Sequence, residues 1–382
     1  MPGGAHHLRR HSFAAARCNA SDLNATVDLI SHEHNDNIPS ATGNVLRYSV
    51  MTERHSQCAV KAIYHASPWE QYWVANVKWL MDSSPKWSCG CRQVVQGRRG
   101  AHRWIQHVLH AREHWNCSAP TKWDDTVFSY HELIDSCTGK SVGRIPIEPL
   151  VGFLRNPRFE QDFCLRDSSW LAITSKTYFL PQWRCEADAR VPTAARPRGR
   201  SYFFDLGASL FWPPPYSKTG GSSQPWFVSE YRKRGLEFDR VLAWEANPYT
   251  PQQIFAMPPR DLDRLSYMNV PVNTTPGALH NPLRMLRALC SEDDFVVVKI
   301  DIDTNHIEEA LIEQIVAEPG LASLIDEVYF EHHVWESPMF YKGWLHSLQE
   351  SDGTPKTSHT LADSYRLFSR MRHLGIRAHS WV

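Results

Sequence analysis

The sequence predicts an α/β fold with a mostly parallel sheet, on two observations. From Ser201 onward, short apolar runs alternate with segments of helical period, the pattern of successive β-α-β units. One of those runs, 295–302, reads Phe-Val-Val-Val-Lys-Ile-Asp-Ile and is apolar on both faces until its end. That is the signature of a strand covered by helices on both sides.

Taken in order, 201–206 is a strand and 226–234 a helix. A strand at 240–244 and a short helix at 251–257 come next. Residues 265–272 are strand-like and 282–289 helical. After the strand at 295–302, Ile307, Leu311 and Ile315 recur at i, i+4 and i+8. This predicts a helix with Glu308, Glu309 and Glu313 turned outward. Residues 327–330 form the next strand. Leu361, Tyr365, Phe368 and Met371 mark a further helix, and 377–382 is a closing strand.

Upstream the signals are weaker. Residues 1–40 are polar and His-rich, without periodicity, and read as a disordered tail. His6, His7, His11, His32 and His34 could hold a metal there, but a solvated tail is the preferred reading. Residues 41–186 form a Trp-rich, partly helical extension to which no chemistry is assigned. Ile105, Val108 and Leu109 give 102–114 an amphipathic period, and 145–182 is expected to pack onto the C-terminal half of the chain. Residues 187–200, dense in Ala, Arg and Pro, read as a linker.

Composition excludes some classes. Of 382 residues, 41 are basic and 41 acidic, so no global field recruits nucleic acid or an anionic membrane. No run of about 18 apolar residues exists to span a bilayer. Arg9, Arg10 and Arg17 precede the first acid, Asp22, with no apolar signal-peptide core, and four Asn-x-Ser/Thr triplets are present. The compartment stays open. The nine cysteines include one close pair, Cys89 and Cys91, with no second pair at zinc-finger spacing. The 15 tryptophans are read as core before sugar platforms.

In a parallel sheet, ligands bind beyond the carboxyl ends of the strands. The residues there are Asp205-Leu206-Gly207-Ala208-Ser209, Glu245-Ala246-Asn247-Pro248, Asp301-Ile302-Asp303 and Glu331-His332-His333. Gly207 allows a tight turn and close backbone approach to a ligand. Glu245 closes the next strand, where a carboxylate can accept the two hydroxyls of a ribose. Lys299, Asp301 and Asp303 alternate along one strand and share a face, which predicts a Lys299–Asp301 ion pair.

Three of these stretches, Phe204-Asp205-Leu206-Gly207-Ala208, Ala243-Trp244-Glu245-Ala246-Asn247-Pro248 and Val298-Lys299-Ile300-Asp301-Ile302-Asp303, resemble the successive motifs of FkbM-type methyltransferases. The likeness covers 201–382. It implies a Rossmann-like class I methyltransferase sheet, S-adenosylmethionine as cofactor, and O-methylation of a hydroxyl-bearing acceptor, a sugar, glycan or small metabolite. By that resemblance Asp205, Gly207 and Ala208 hold the methionine part of the cofactor. Glu245 takes the ribose, with Asn247 in the same motif, and Asp301 and Asp303 lie beside the transferring methyl. The chain departs from the family in two places. Leu210-Phe211-Trp212-Pro213-Pro214-Pro215 comes after the turn and sets Glu245 about 40 residues beyond Asp205, against ~20 in a compact site. Asp303-Thr304-Asn305-His306 stands where the family carries Glu-Gly-Ala-Glu.

Catalytic candidates are Asp303, His332 and His333 as general base, with Lys299 in the same group. Asp303 and Glu331 end strands expected to be neighbours and are the candidate ligands of a divalent cation. The sequence does not choose between base and cation. Two other classes fit the same strands: a non-catalytic binding or scaffold module, and an NAD(P)-dependent enzyme. The latter expects a contiguous Gly-x-Gly-x-x-Gly, which this chain lacks after its first strand.

Overall fold

The computed structural model describes residues 60–75 (except 69, 72 and 73), 128–150, 199–212, 223–335 and 344–381, with Asp125, Tyr178 and Leu180. The expected tail at 1–40, the helix at 102–114, Cys89 and Cys91, most of the linker at 187–200 and residues 213–222 lie outside the described residues.

Two sheets are present among the described residues. The smaller is an antiparallel meander of β1 (Val60–His65), β2 (Ser129–Asp135) and β3 (Ser141–Ile147). The larger contains β4 (Ser201–Leu206), β5 (Arg240–Trp244), β6 (Leu265–Met268), β7 (Phe295–Ile300), β8 (Glu327–Phe330) and β9 (Arg377–Ser380). Its strand order is β6-β5-β4-β7-β8-β9, and every pairing described in it is parallel. From β4 the chain winds outward to β6, then returns to lay β7 on the other side of β4. The connections leaving β4 and β7 therefore diverge at their carboxyl ends, the position where open parallel sheets bind their ligands.

The central strands β4 and β7 are buried at every position, as a strand covered on both faces must be. One face packs on α4 (Pro282–Leu289), α5 (Asn305–Ala317) and α8 (Leu361–His373), through Leu286, Leu311, Ile315, Phe368 and Met371. The other face packs on α1 (Ser223–Lys233), where Phe203 stacks on Phe227 at 4.4 Å between ring centres. Alternation along β4 divides its aromatic rings: Tyr202 and Phe204 go to the first face, Phe203 to the second. Burying a side chain of that size contributes about 1.5–3 kcal/mol. Among the described residues the main sheet carries four further short helices: α2 (Pro251–Ile254), α3 (Pro259–Leu262), α6 (Pro319–Ala322) and α7 (Leu345–Leu348).

The parallel sheet agrees with the sequence expectation, with trimmed ends. The run at 295–302 stops pairing at Ile300, the strand-like 265–272 at Met268, and the closing strand at Ser380. The helix expected at 251–257 is a single turn ending at Ile254, and a separate turn starts at Pro259. The larger correction lies upstream. Over its described residues the partly helical extension carries helical residues at 68, 70, 71, 74 and 75 and, unannounced by the sequence, the β1–β3 sheet. Its inward positions include Ser129 and His131, so the apolar alternation of a half-buried strand is missing.

The meander is joined to the main sheet by buried charge. Arg372, at the end of α8, donates to Tyr64 Oη (3.1 Å), to the Glu148 carbonyl (2.9 Å) and twice to the Ala378 carbonyl (3.0 and 2.9 Å). Glu70 lies 3.5 Å from Arg372 and also accepts from Tyr64, Ser129 and the Leu150 amide. Arg377 of β9 pairs with Glu327 at 2.8 Å and donates to the Pro146 carbonyl. No described helix is long and apolar enough to cross a membrane.

Candidate functional site

The strand ends singled out in the sequence meet at one edge, as two abutting groups. The first is the turn after β4. Gly207 has φ +78°, and a Cβ there would stand 1.7 Å from the Asp301 carbonyl oxygen. Only glycine lets the turn press against the chain leaving β7. The Gly207 and Ala208 amides both donate to the Trp244 carbonyl at 3.0 Å. The next amide, Ser209, donates to Glu245 Oε2 at 2.8 Å, and the Asn247 amide donates to Oε1 at 2.7 Å. Glu245 is thus buried, held by two backbone donors, with further lone pairs on each oxygen unused by them. Asn269 fastens the same loop through the Glu245 and Asn247 carbonyls. Ala208 is buried, whereas Asn247 is exposed.

Asp205 is wholly buried and turned into the protein. It lies 3.2 Å from Lys299 Nζ and accepts from Ser223 Oγ. Lys299 also pairs with Asp301 at 3.2 Å, the ion pair expected from alternation, and donates to the Gly207 carbonyl at 2.8 Å. Burial disfavours the Lys299 charge. Asp205 and Asp301 outweigh it and hold the ammonium above its ordinary range. Burial raises the Asp205 pKa, with Lys299 opposing. Asp205 and Lys299, both buried, therefore brace the turn from beneath.

The second group lies beyond β7 and β8. Asp301 accepts from Trp381 Nε1 at 2.9 Å. Its pKa is raised, first by burial and then by Glu331, against the pull of Lys299. Glu331 accepts from Trp344 Nε1 at 2.9 Å. His333 is 1% exposed. Its Nε2 lies 3.6 Å from Asp303 and 3.9 Å from Glu331, and its Nδ1 lies 3.4 Å from Glu308. Burial alone would lower the His333 pKa, but Glu331, Asp303 and Glu308 raise it to about 10. Asp303 is 76% exposed with φ +59°, in the left-handed region that Asp tolerates better than most residues.

Two expectations are corrected here. Glu308, expected to face outward, is buried: its Oε1 accepts the Ile302 and Asp303 amides at 2.6 and 3.1 Å. A carboxylate in the first turn of α5 is attracted to free N–H groups and the positive end of the helix, and here it folds back onto the preceding chain. His332 faces away from Asp303. It hydrogen-bonds Ser364 of α8 at 3.0 Å, stacks on Phe330, and burial pushes its pKa down to about 3. The imidazole that joins Asp303 and Glu331 is its neighbour, His333.

Fold and site together define an α/β protein whose parallel sheet carries, at its switch point, a carboxylate-locked glycine turn beside a carboxylate–imidazole cluster. No family model, curated protein or solved structure matches this chain.

Proposed function

We propose that residues 201–382 form an S-adenosylmethionine-dependent methyltransferase domain that O-methylates a hydroxyl-bearing acceptor, a sugar, glycan or small metabolite. The observation that carries this reading is the direct link between the glycine turn and the carboxylate ending the adjacent strand, Ser209 N–H to Glu245 at 2.8 Å. Counted from Ser201, the strand order is 3-2-1-4-5-6, that of doubly wound nucleotide-binding sheets, whose ligands lie beyond the carboxyl ends. Glu245, fixed by two amides, keeps lone pairs for ribose hydroxyls. The Gly207 turn offers backbone without a side chain, and Asp301 stands on the far side of that turn.

The cofactor supplies a methyl group on a sulfonium already activated for displacement. This chain's residues orient it: Glu245 and the turn hold one partner, and the cluster of Asp303, Glu331 and His333 faces the acceptor. Asp303, its solvent-facing member at 76% exposure, is the base that this reading assigns to the acceptor's proton. Alignment of that kind is worth about 7–11 kcal/mol of barrier in favourable cases.

Calorimetry with S-adenosylhomocysteine and with NADPH tests the reading. S-adenosylhomocysteine is expected to bind one per chain in preference to NADPH, and Glu245→Gln to weaken it about tenfold or more, the worth of a hydrogen bond to a charged group. Preference for NADPH would move the domain to the NAD(P)-dependent class. Binding of neither by folded protein would leave the non-catalytic module, which one observation favours: the Asp205 carboxylate is taken up by Lys299 and Ser223.

A further inference from the structure

We propose that Asp303, Glu331 and His333 form a binding site for a divalent first-row transition cation, Mn²⁺ in the first instance, with Glu308 orienting the histidine from behind. The inference does not rest on the cofactor reading, since it concerns a different ligand, held by the cluster that the proposed function turns toward the acceptor.

Two observations carry it. One oxygen of Asp303, one of Glu331 and one ring nitrogen of His333 lie within 4.8 Å of one another, at the ends of β7 and β8. Independently, His333 is buried with both ring nitrogens lacking a hydrogen-bond partner. Every other buried histidine with an unpartnered nitrogen among the described residues has only one such atom. A buried imidazole left so is costly unless something completes it.

A plain ion pair explains the spacing less well. Charge-assisted hydrogen bonds close to about 2.7–2.9 Å, and Arg377 and Glu327 in this molecule do so at 2.8 Å. His333 instead stands off at 3.6 and 3.9 Å from its two carboxylates. Ligands each about 2.0–2.3 Å from a shared ion keep such separations from one another.

The surrounding groups are arranged as such a site needs. A metal-bound imidazole normally gives its other N–H to a carboxylate, and Nδ1 lies 3.4 Å from Glu308 Oε2. The other Glu308 oxygen accepts the Asp303 amide, so one side chain positions two ligands. Trp344 Nε1 holds Glu331 Oε1, and Glu331 Oε2 lies 3.9 Å from His333 Nε2. One nitrogen and two oxygens suit Mn²⁺, Fe²⁺ or Zn²⁺ better than Mg²⁺ or Ca²⁺, which prefer oxygen alone. Three protein ligands leave coordination positions open, and the 76% exposure of Asp303 directs them to solvent.

The test is titration of chelator-treated, full-length protein with MnCl₂ by calorimetry, without any adenosyl cofactor. One Mn²⁺ per chain is expected, more tightly bound than Mg²⁺. Asp303→Asn, at an exposed position where the variant folds, should weaken binding at least about tenfold. Glu308→Gln should weaken it about 10–100-fold, as loss of an outer partner does. Absence of Mn²⁺ binding, equal affinity for Mg²⁺, or unchanged affinity in Asp303→Asn would overturn the proposal. A failure of S-adenosylhomocysteine to bind would leave it standing.

Discussion

Two regions of this molecule bury ionisable groups densely, and they do so in opposite ways. At the joint between the two sheets, Arg372, Arg377, Glu70, Glu148 and Glu327 meet partners at hydrogen-bonding distance, and backbone carbonyls take up the remaining guanidinium donors. His379 closes on Glu148 in the same way. Beyond β7 and β8, His333 stands among three carboxylates at 3.4, 3.6 and 3.9 Å, none as close as the 2.8 Å of the Arg377–Glu327 pair. Burial of charge is therefore no mark of function by itself. The joint resembles a structural network in which each group answers another. At the edge of the main sheet Asp301, Glu331 and Glu308 are answered in the same way, whereas His333 stands back from its carboxylates, the separation that the proposed cation would fill.

The largest effect is expected at the joint. Arg372→Leu leaves Glu148 and Glu70 buried beside a hydrocarbon and removes the donors to two carbonyls. Breaking a buried pair from one side costs about 3–5 kcal/mol, to be read from urea denaturation. A loss below about 1 kcal/mol would mean the joint is not held by its charges, and the comparison would fail on its structural side.

The glycine turn comes next. Gly207→Ala meets the Asp301 carbonyl and forces alanine to positive φ, at a cost of about 2–3 kcal/mol. Gly277 has the same φ of +78° with open space around its Cβ position. Gly277→Ala isolates the backbone part, about 1 kcal/mol. Equal losses in the two variants would show that the turn after β4 is not pressed against the chain leaving β7.

A smaller, pH-dependent effect separates the regions differently. Burial holds His131 well below the ordinary imidazole range, and Arg377 adds to this, against the hydrogen bond to the Arg372 carbonyl. The folded protein keeps His131 neutral, while the unfolded chain takes up a proton below about pH 6.5. Its contribution is thus intact above that pH and lost as the pH falls below it, by up to about 1.4 kcal/mol per unit. His131→Gln should flatten this limb of a stability–pH curve. An unchanged limb would assign the acid sensitivity to other groups.

Much of the main sheet is legible in the sequence, and the parts that are not have physical causes. The parallel sheet announces itself because β4 and β7 are buried on both faces, so their apolar runs are nearly unbroken. The carboxylates at the strand ends and the Lys299–Asp301 pair follow from period two along a strand. The β1–β3 sheet does not show, because its buried Ser129 and His131 are satisfied by Glu70 and by Arg372, remote in sequence. Glu308 escapes because helical period describes a regular helix, whereas its first turn binds backward to free amides. Between His332 and His333, the choice depends on how the chain leaves β8, which α8 and Ser364 decide.

The smallest expected effect discriminates most sharply between the two regions. Asp303→Asn keeps a residue that tolerates positive φ, at a position 76% exposed. Exposed ion pairs contribute about 0–1 kcal/mol, so without added cation the variant should match the parent to within about 0.5 kcal/mol in denaturant. With Mn²⁺ present, only the parent should gain stability, because a ligand that binds the native state alone stabilises it. The two results together would separate a carboxylate that supports the fold from one that waits for an ion. If Asp303→Asn lost several kcal/mol in metal-free buffer, the Asp303–His333 contact would belong with the Arg377–Glu327 pair, and the edge of the sheet would be a second structural network.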